Sequence, residues 1–186
     1  MKTSKTRFLS MLLAIAMIFS MLVATPVFAE ENVAGDGNFS GGFGTEESPY
    51  LIANKKDLLA LRDAADGQFT SDVYYLQTAD IDMANTKTWS TGLFSGGQLE
   101  NMNYNGGNHV IYNLKISRPA NGSNPYHGLF EQLGNGCVVR NLGMVGCTIE
   151  VPSTATNTTA SSYVGPLVGA ILGGAKVADK LNVINN

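Results

Sequence analysis

The segment Ile111-Tyr112-Asn113-Leu114-Lys115-Ile116 recurs 28 residues later as Val139-Arg140-Asn141-Leu142-Gly143-Met144, with apolar residues at matching places around one central Asn. A second echo pairs Tyr126-His127-Gly128-Leu129-Phe130 with Tyr163-Val164-Gly165-Pro166-Leu167-Val168, and a looser third puts Val177, Leu181 and Val183 in the strand role. Units this short bury too little apolar surface to stand alone. Each requires a neighbour on either side, so internal repeats of this length predict stacked coils with backbone hydrogen bonds running between units. Asn113 and Asn141 occupy the same place in the two aligned units and are given a structural role, an Asn ladder whose side-chain amides bond along the axis.

The repeats follow a leader. Lys2, Lys5 and Arg7 precede the apolar run from Phe8 to Val23, and Val27-Phe28-Ala29 supplies small residues at a peptidase site, so residues 1–29 read as a signal peptide cut after Ala29. Export to an extracellular or cell-surface location follows. Removing the leader takes three of the 12 basic residues and none of the 15 acidic ones, leaving 9 against 15, a formal charge of −6. Nucleic acid is thereby excluded as a partner, because phosphate binding needs clustered Lys and Arg. All 21 Gly stay in the 157-residue remainder. Gly and Asn both tolerate left-handed backbone, so a chain rich in them predicts short strands joined by turns, and a helical bundle is excluded.

Residues 30–48 read as a flexible Gly-rich entry, and order is expected from the start of a module spanning 49–186. Pro49-Tyr50-Leu51-Ile52 suits a short strand. One helix is predicted over 55–66, with Asn54 as N-cap, Asp57 reaching back as in a capping box, Leu58, Leu61 and Ala65 as its apolar stripe, and Gly67 as its stop. A lone one-faced helix ahead of a β-rich chain must bury that stripe, and the open end of a sheet or coil is the natural place. Strands are predicted at Val73-Tyr74-Tyr75-Leu76 and where Ile81 and Met83 alternate with Asp80 and Asp82. Ser117 to Pro125 and Val151 to Ser162 read as loops. The sequence stops at Asn186 inside a coil with no capping element, which predicts an open edge prone to end-to-end self-association.

Six segments in order, GTEESPYLI (Gly44 to Ile52), KKDLLALRDAAD, LQTADIDM (Leu76 to Met83), YNGGNHVIYNL (Tyr104 to Leu114), GLFEQLGNGCVVRNLGMV (Gly128 to Val145) and YVGPLVG (Tyr163 to Gly169), resemble the entry module and first repeats of bacterial GLUG-motif surface proteins. The resemblance implies an all-β fold: a short right-handed parallel β-helix capped at its N-terminal end by the helix and exported by a bacterium. Such modules sit in adhesin-like surface proteins and ahead of the catalytic part of immunoglobulin A1-specific zinc metallopeptidases. Two departures stand out. Where the family has Phe-Asp-Gly-Asn-Gly-His this chain has Tyr104-Asn105-Gly106-Gly107-Asn108-His109, and Pro166 replaces the second Gly of YVGPLVG.

Candidate chemistry is sparse. No HExxH zinc motif occurs in the sequence, so peptidase activity does not carry over. Asp80 and Asp82, on one side of a strand, form the one tempting carboxylate pair, a weak metal candidate against the plainer reading of a solvent-facing strand edge. Cys137 and Cys147 read as small buried residues slightly ahead of a disulfide. Gly165, Gly169 and Gly173 at four-residue spacing imitate a packed membrane helix, but the run is too short to span a bilayer, and no membrane span is expected in the mature chain. No cofactor and no catalytic set is expected. The functional expectation is a non-catalytic secreted or surface module that binds a cell-surface glycan or protein, with Tyr112, Arg118, Tyr126 and Arg140 as outward contacts, since aromatic residues and Arg are enriched at contacts. The alternative is the N-terminal fragment of a larger surface peptidase or polysaccharide-degrading enzyme. Mass spectrometry of the exported protein checks the leader: an N-terminus at Glu30 is expected, and one at Met1 would refute cleavage.

Overall fold

A computed structural model describes residues 38–63, 68–94, 97–119, 125–152, 161–178 and 182–184, with 68, 178 and 182–184 described by backbone alone. The leader, Ala65, Gly67 and Leu181 lie outside these residues. All described residues belong to the unit Ala34–Asn186. The fold is mostly β, with one helix and strands in small parallel sheets.

The elements follow in chain order. They are β1 (Tyr50–Ile52), α1 (Lys55–Asp63), β2 (Gln68–Gln77), β3 (Ile81–Asp82), β4 (Glu100–Asn105), β5 (Val110–Tyr112), β6 (Lys115–Ser117), β7 (Tyr126–His127), β8 (Phe130–Leu133), β9 (Val138–Arg140), β10 (Gly143–Val145), β11 (Thr148–Glu150), β12 (Tyr163–Val164), β13 (Val168–Ile171), β14 (Lys176–Ala178) and β15 (Asn182–Ile184). Sheet membership repeats in step with the chain. One sheet has the order β1-β2-β4-β9-β14, a second β15-β10-β5-β3, and three more pair β6 with β11, β7 with β12 and β8 with β13. Every pairing is parallel. From β4–β8 to β9–β13 the offset runs from 33 residues (Ile111 to Met144) to 38 (Phe130 to Val168).

Strand alternation fixes what is inside. Tyr75, Tyr104 and Val139 are register partners on the inner side of the large sheet, and Ile81, Ile111 and Met144 form the corresponding inner row of the second. Phe130 meets the Tyr104 ring edge-on at 5.6 Å. The buried Tyr104 hydroxyl donates to Gln77 Oε1 at 3.0 Å, and Gln77 Nε2 donates to the carbonyl of Ala79, so these two polar tips are paired.

The predicted Tyr126 and Tyr163 echo is a true register: the two are strand partners, as are Phe130 and Val168. The Asn ladder is not. Asn113 lies between β5 and β6, while Asn141 lies between β9 and β10, one corner earlier. Each bonds a different neighbour. Asn113 Nδ2 donates to Asp82 Oδ1 at 2.8 Å, and Asn141 Nδ2 donates to Asn105 Oδ1 at 3.0 Å. The shared feature is backbone: φ is +57° at Asn113 and +54° at Asn141, the left-handed region that Asn tolerates better than other non-glycine residues. The repeated motif therefore marks a type of corner, and side-chain amides still tie adjacent repeats together at each.

Helix α1 begins as predicted and is described to Asp63. Asn54 Oδ1 accepts from the amides of Lys56 and Asp57, and Asp57 reaches back to the Ala53 amide at 2.8 Å, one residue before the expected partner. Leu58 and Leu61 are fully buried, each burial stabilising by about 1.5–3 kcal/mol. The outer side of α1 is tied down too: Lys55 Nζ donates to the Ala84 carbonyl, and the Arg62 guanidinium lies 5.2 Å from the centre of the Trp89 ring. The helix is thus fastened to Ala84 and Trp89 as well as to the core. Residues 38–48, expected to be flexible, are instead bonded in. The Ser40 amide donates to the Leu51 carbonyl, the Leu51 amide to the Gly41 carbonyl, and Ser40 Oγ to Asp57 Oδ2 at 2.6 Å. The Gly-rich composition there serves close packing: Gly42 has φ +86°, and a Cβ on it would strike the Pro49 carbonyl.

A polar cluster lies inside the β7–β8 corner. Arg118 Nη1 pairs with Glu131 Oε1 at 2.9 Å, Arg118 Nη2 donates to the Tyr126 carbonyl, and Glu131 Oε1 also accepts from the Gly92 amide. His127 beside them is buried with its Nε2 unpartnered, and burial, reinforced by the Arg118 charge, pushes its pKa below the ordinary 6.5, with Glu131 opposing.

Two measurements check these tertiary links. Asp57→Ala strands the Ala53 amide and Ser40 hydroxyl and is expected to cost about 1–3 kcal/mol in urea unfolding; an unchanged midpoint would show that the cap is idle. For His127 the folded pKa lies below the unfolded one, so on acidification the unfolded chain takes up the proton first. The stability contributed by neutral His127 is full above pH 6.5 and drains as pH falls from there to the folded value. Unfolding midpoints between pH 7.5 and 5 should therefore fall more steeply for the native protein than for His127→Gln, and parallel curves would contradict it.

Candidate ligand-binding face

The alternation that sends Tyr75, Tyr104 and Val139 inward turns their neighbours outward. Register places Tyr74, Asn103, Val138 and Lys176 in one outer row across β2, β4, β9 and β14. Leu76, Asn105 and Arg140 form the next. A flat sheet face alone holds little. Here it is walled by the turn preceding β1, in which the amides of Phe43 and Thr45 donate to the Ser48 carbonyl and the Tyr74 amide donates to the Gly44 carbonyl. That last bond pins the turn to β2. Glu46 and Pro49 rise beside the sheet and close a hollow of about 320 Å³ with Tyr74, Leu76, Asn103, Asn105, Val138 and Arg140.

The hollow combines an aromatic ring, two carboxamides, a carboxylate and a guanidinium over an apolar floor, the mixture by which a binding site grips and orients a polar ligand. Its electrostatics are lopsided. The Tyr74 hydroxyl is held neutral above the usual phenol range, by desolvation first and then by the charges of Glu46, Asp72 and Glu47. Arg140 stands exposed at the other side, and Lys176 lies exposed on the next strand. A wider cleft of about 670 Å³ opens by Phe39, Phe43, Tyr50, Phe69 and Tyr75. The rings of Phe39, Tyr50, Phe69 and Tyr75 pack on one another at 4.9–6.4 Å with the core, and of these rings' neighbours Phe43 alone stands exposed at the mouth, which makes the cleft a weaker candidate.

Of the four contacts expected from the sequence, the hollow contains Arg140 alone. Tyr112 is half-buried on β5, between Asp82 and Val145 in register. Tyr126 stacks on Tyr163, with ring centres 5.2 Å apart. Arg118 is a correction: its side chain is turned in to the Glu131 carboxylate, and a guanidinium so engaged is no outward contact. Tyr74, Asn103, Asn105 and Glu46 were missed. The available signal was the period of two in Met102 to Asn105, which sets both Asn on the face opposite Met102 and Tyr104. In Val73 to Gln77 the outward face mixes Tyr74 with Leu76 and the inward face ends on Gln77, so polarity alone gave no such signal for Tyr74.

Asp80 and Asp82 are occupied by structural bonds. Asp80 Oδ1 accepts from the Val110 amide at 2.9 Å and lies 3.2 Å from His109 Nδ1. Asp82 Oδ1 accepts from Asn113 and from the Ala84 amide, which hold its carboxyl below the usual range. No group of three metal-ligating side chains occurs among the described residues. Cys137 and Cys147 are both free thiols, and burial raises the pKa of each. Gly165 and Gly169 lie in and beside strands, not in a helix: a Cβ on Gly169 would come within 2.8 Å of the His127 amide nitrogen, so close backbone approach is what selects Gly there. No helix among the described residues is long and apolar enough to cross a membrane.

No protein-family model matches the sequence, and no curated protein matches it. Among solved structures, the chain is similar to the crystal structure of a putative immunoglobulin A1 protease from Bacteroides ovatus, with a TM-score of 0.54 and 23% identity over 78% of this chain and 50% of that one. The likeness is one of fold, and this chain spans about half the length of that neighbour.

Proposed function

We propose that this chain is a short right-handed parallel β-helix of the GLUG-motif type, exported by a bacterium, whose work is non-covalent recognition of a cell-surface glycan. Parallel strands recurring at offsets of 33–38 residues support the architecture. Right-handedness follows from the strong bias of parallel crossovers, set by strand twist. One observation carries the function: the walled hollow on the outer face of the large sheet, where Tyr74 offers a ring, Asn103 offers an amide donor and acceptor, Asn105 offers an amide donor while its Oδ1 accepts from Asn141 and the Gly107 amide, and Glu46 and Arg140 offer charge. Such groups suit the apolar ring faces and hydroxyl edges of sugars.

The reading is of binding, not catalysis. Glycoside hydrolysis takes two carboxyl groups flanking the bond, and among the described residues Glu46 is the one carboxylate lining the hollow. A second reading, that the chain forms the N-terminal part of a larger surface peptidase or polysaccharide-degrading enzyme, draws some support from the solved neighbour, of which the match covers 50%. The reading frame beyond Asn186 in the native gene separates the two.

Screening against immobilised glycans tests the proposal. Tyr74→Ala and Arg140→Ala are each expected to weaken binding about tenfold, or roughly 1.4 kcal/mol, without moving the thermal midpoint, while Tyr112→Ala leaves binding intact. Retained affinity in both variants would place the site elsewhere.

A further inference from the structure

The two ends of the hollow carry opposite charge. At the β2 side the Glu46 carboxylate stands by Tyr74, with Glu47 and Asp72 close enough for their charges to act on the same hydroxyl. Arg140 lies on β9, two strands across, with Lys176 one strand further. Strands in a sheet are about 4.8 Å apart, so the backbones of β2 and β9 lie roughly 10 Å apart, with the neutral amides of Asn103 and Asn105 on the strand between them. Among the described residues, neither Glu46 nor Arg140 forms an ion pair.

The carboxylate and the guanidinium line one hollow without pairing, so among the described residues neither charge is neutralised by an ion pair and both are open to a ligand lying over them. A ligand with charge of one sign gains at one pole and is repelled at the other. A ligand with both signs gains twice. The face also favours a ligand that presents rings and hydroxyls to side chains: its central strands β2, β4 and β9 are each paired on both sides, which leaves an extended peptide no strand edge to join over the hollow.

We infer that the ligand is a zwitterionic oligosaccharide laid across the strands, with an amino sugar over Glu46 and Tyr74 and a uronate at Arg140. The inference rests on the reading of this face as a glycan site. It names the chemistry of the ligand and its polarity: amine towards β1 and β2, carboxylate towards β9 and β14.

The test uses three hexasaccharides by isothermal titration at about pH 6, where carboxylates are ionised and amines protonated. Hyaluronan carries carboxylates only, chitosan amines only, and de-N-acetylated hyaluronan both in alternation. The last is expected to bind at least tenfold more tightly than either of the others. Glu46→Gln should abolish its advantage over hyaluronan, and Arg140→Gln its advantage over chitosan, with thermal midpoints unchanged. If neutral and singly charged glycans bind as well as the zwitterion, the glycan face stands and the two-pole inference fails. Preference for a peptide of alternating Lys and Glu over the zwitterionic sugar would also overturn it. Absence of binding to any glycan overturns both readings.

Discussion

Most strands in this chain have two to four residues, and segments that short cannot satisfy their backbone within themselves. Their amides and carbonyls find partners sideways, in the repeat before or after, always in parallel. Everything else depends on that lateral pairing being kept in register. It holds Tyr75 beside Tyr104 and Val139, and Ile81 beside Ile111 and Met144, so the interior is built as rows of like over like. Several of the corners between short strands pass through left-handed backbone, and Asn113, Asn141 and Gly146 occupy such points. The asparagines then donate side-chain bonds to the adjacent repeat.

Register also makes the outer face. Once Tyr104 points inward, Asn103 and Asn105 must point outward, and their strand partners carry Tyr74, Val138, Leu76 and Arg140 alongside. The sheet supplies order, and the turn at 43–48 supplies relief. Because Gly42 allows that turn to press against Pro49 and the Gly44 carbonyl holds the Tyr74 amide, Glu46 is carried to the rim of the hollow. The proposed recognition site is thus a by-product of how the entry segment docks on the first strands, and segment, helix cap and face are linked through Ser40, Asn54 and Asp57.

Local chemistry was legible where a short stretch decides it. The N-cap at Asn54, the apolar side of α1, the strand at Val73–Leu76 and the pairing of Tyr126 with Tyr163 all rest on patterns a few residues long or on a direct repeat. The 28-residue repeat misled in a specific way. It matches a strand, a left-handed Asn and a strand at two different corners, whereas the register partners of Val139 and Met144 are Tyr104 and Ile111. Sequence similarity there reports the same bend, not the same position in the repeat. Arg118 shows the same limit: its partner Glu131 is thirteen residues on, and nothing local foretells that the guanidinium folds inward. The entry segment read as flexible because Gly dominates it, although those glycines serve close packing.

By itself the sequence determined a β-rich chain of short repeated strands with one amphipathic helix ahead of them, because hydrophobic periodicity, capping residues and turn formers act over a few neighbours. The tertiary structure decided which repeats lie side by side, which charges are buried and which outer residues share one hollow. Those outcomes are set by register between segments some 30–40 residues apart and by the docking of a Gly-rich turn. A one-residue change of register reverses the face of every side chain, so the site could be assembled only after the pairing was known.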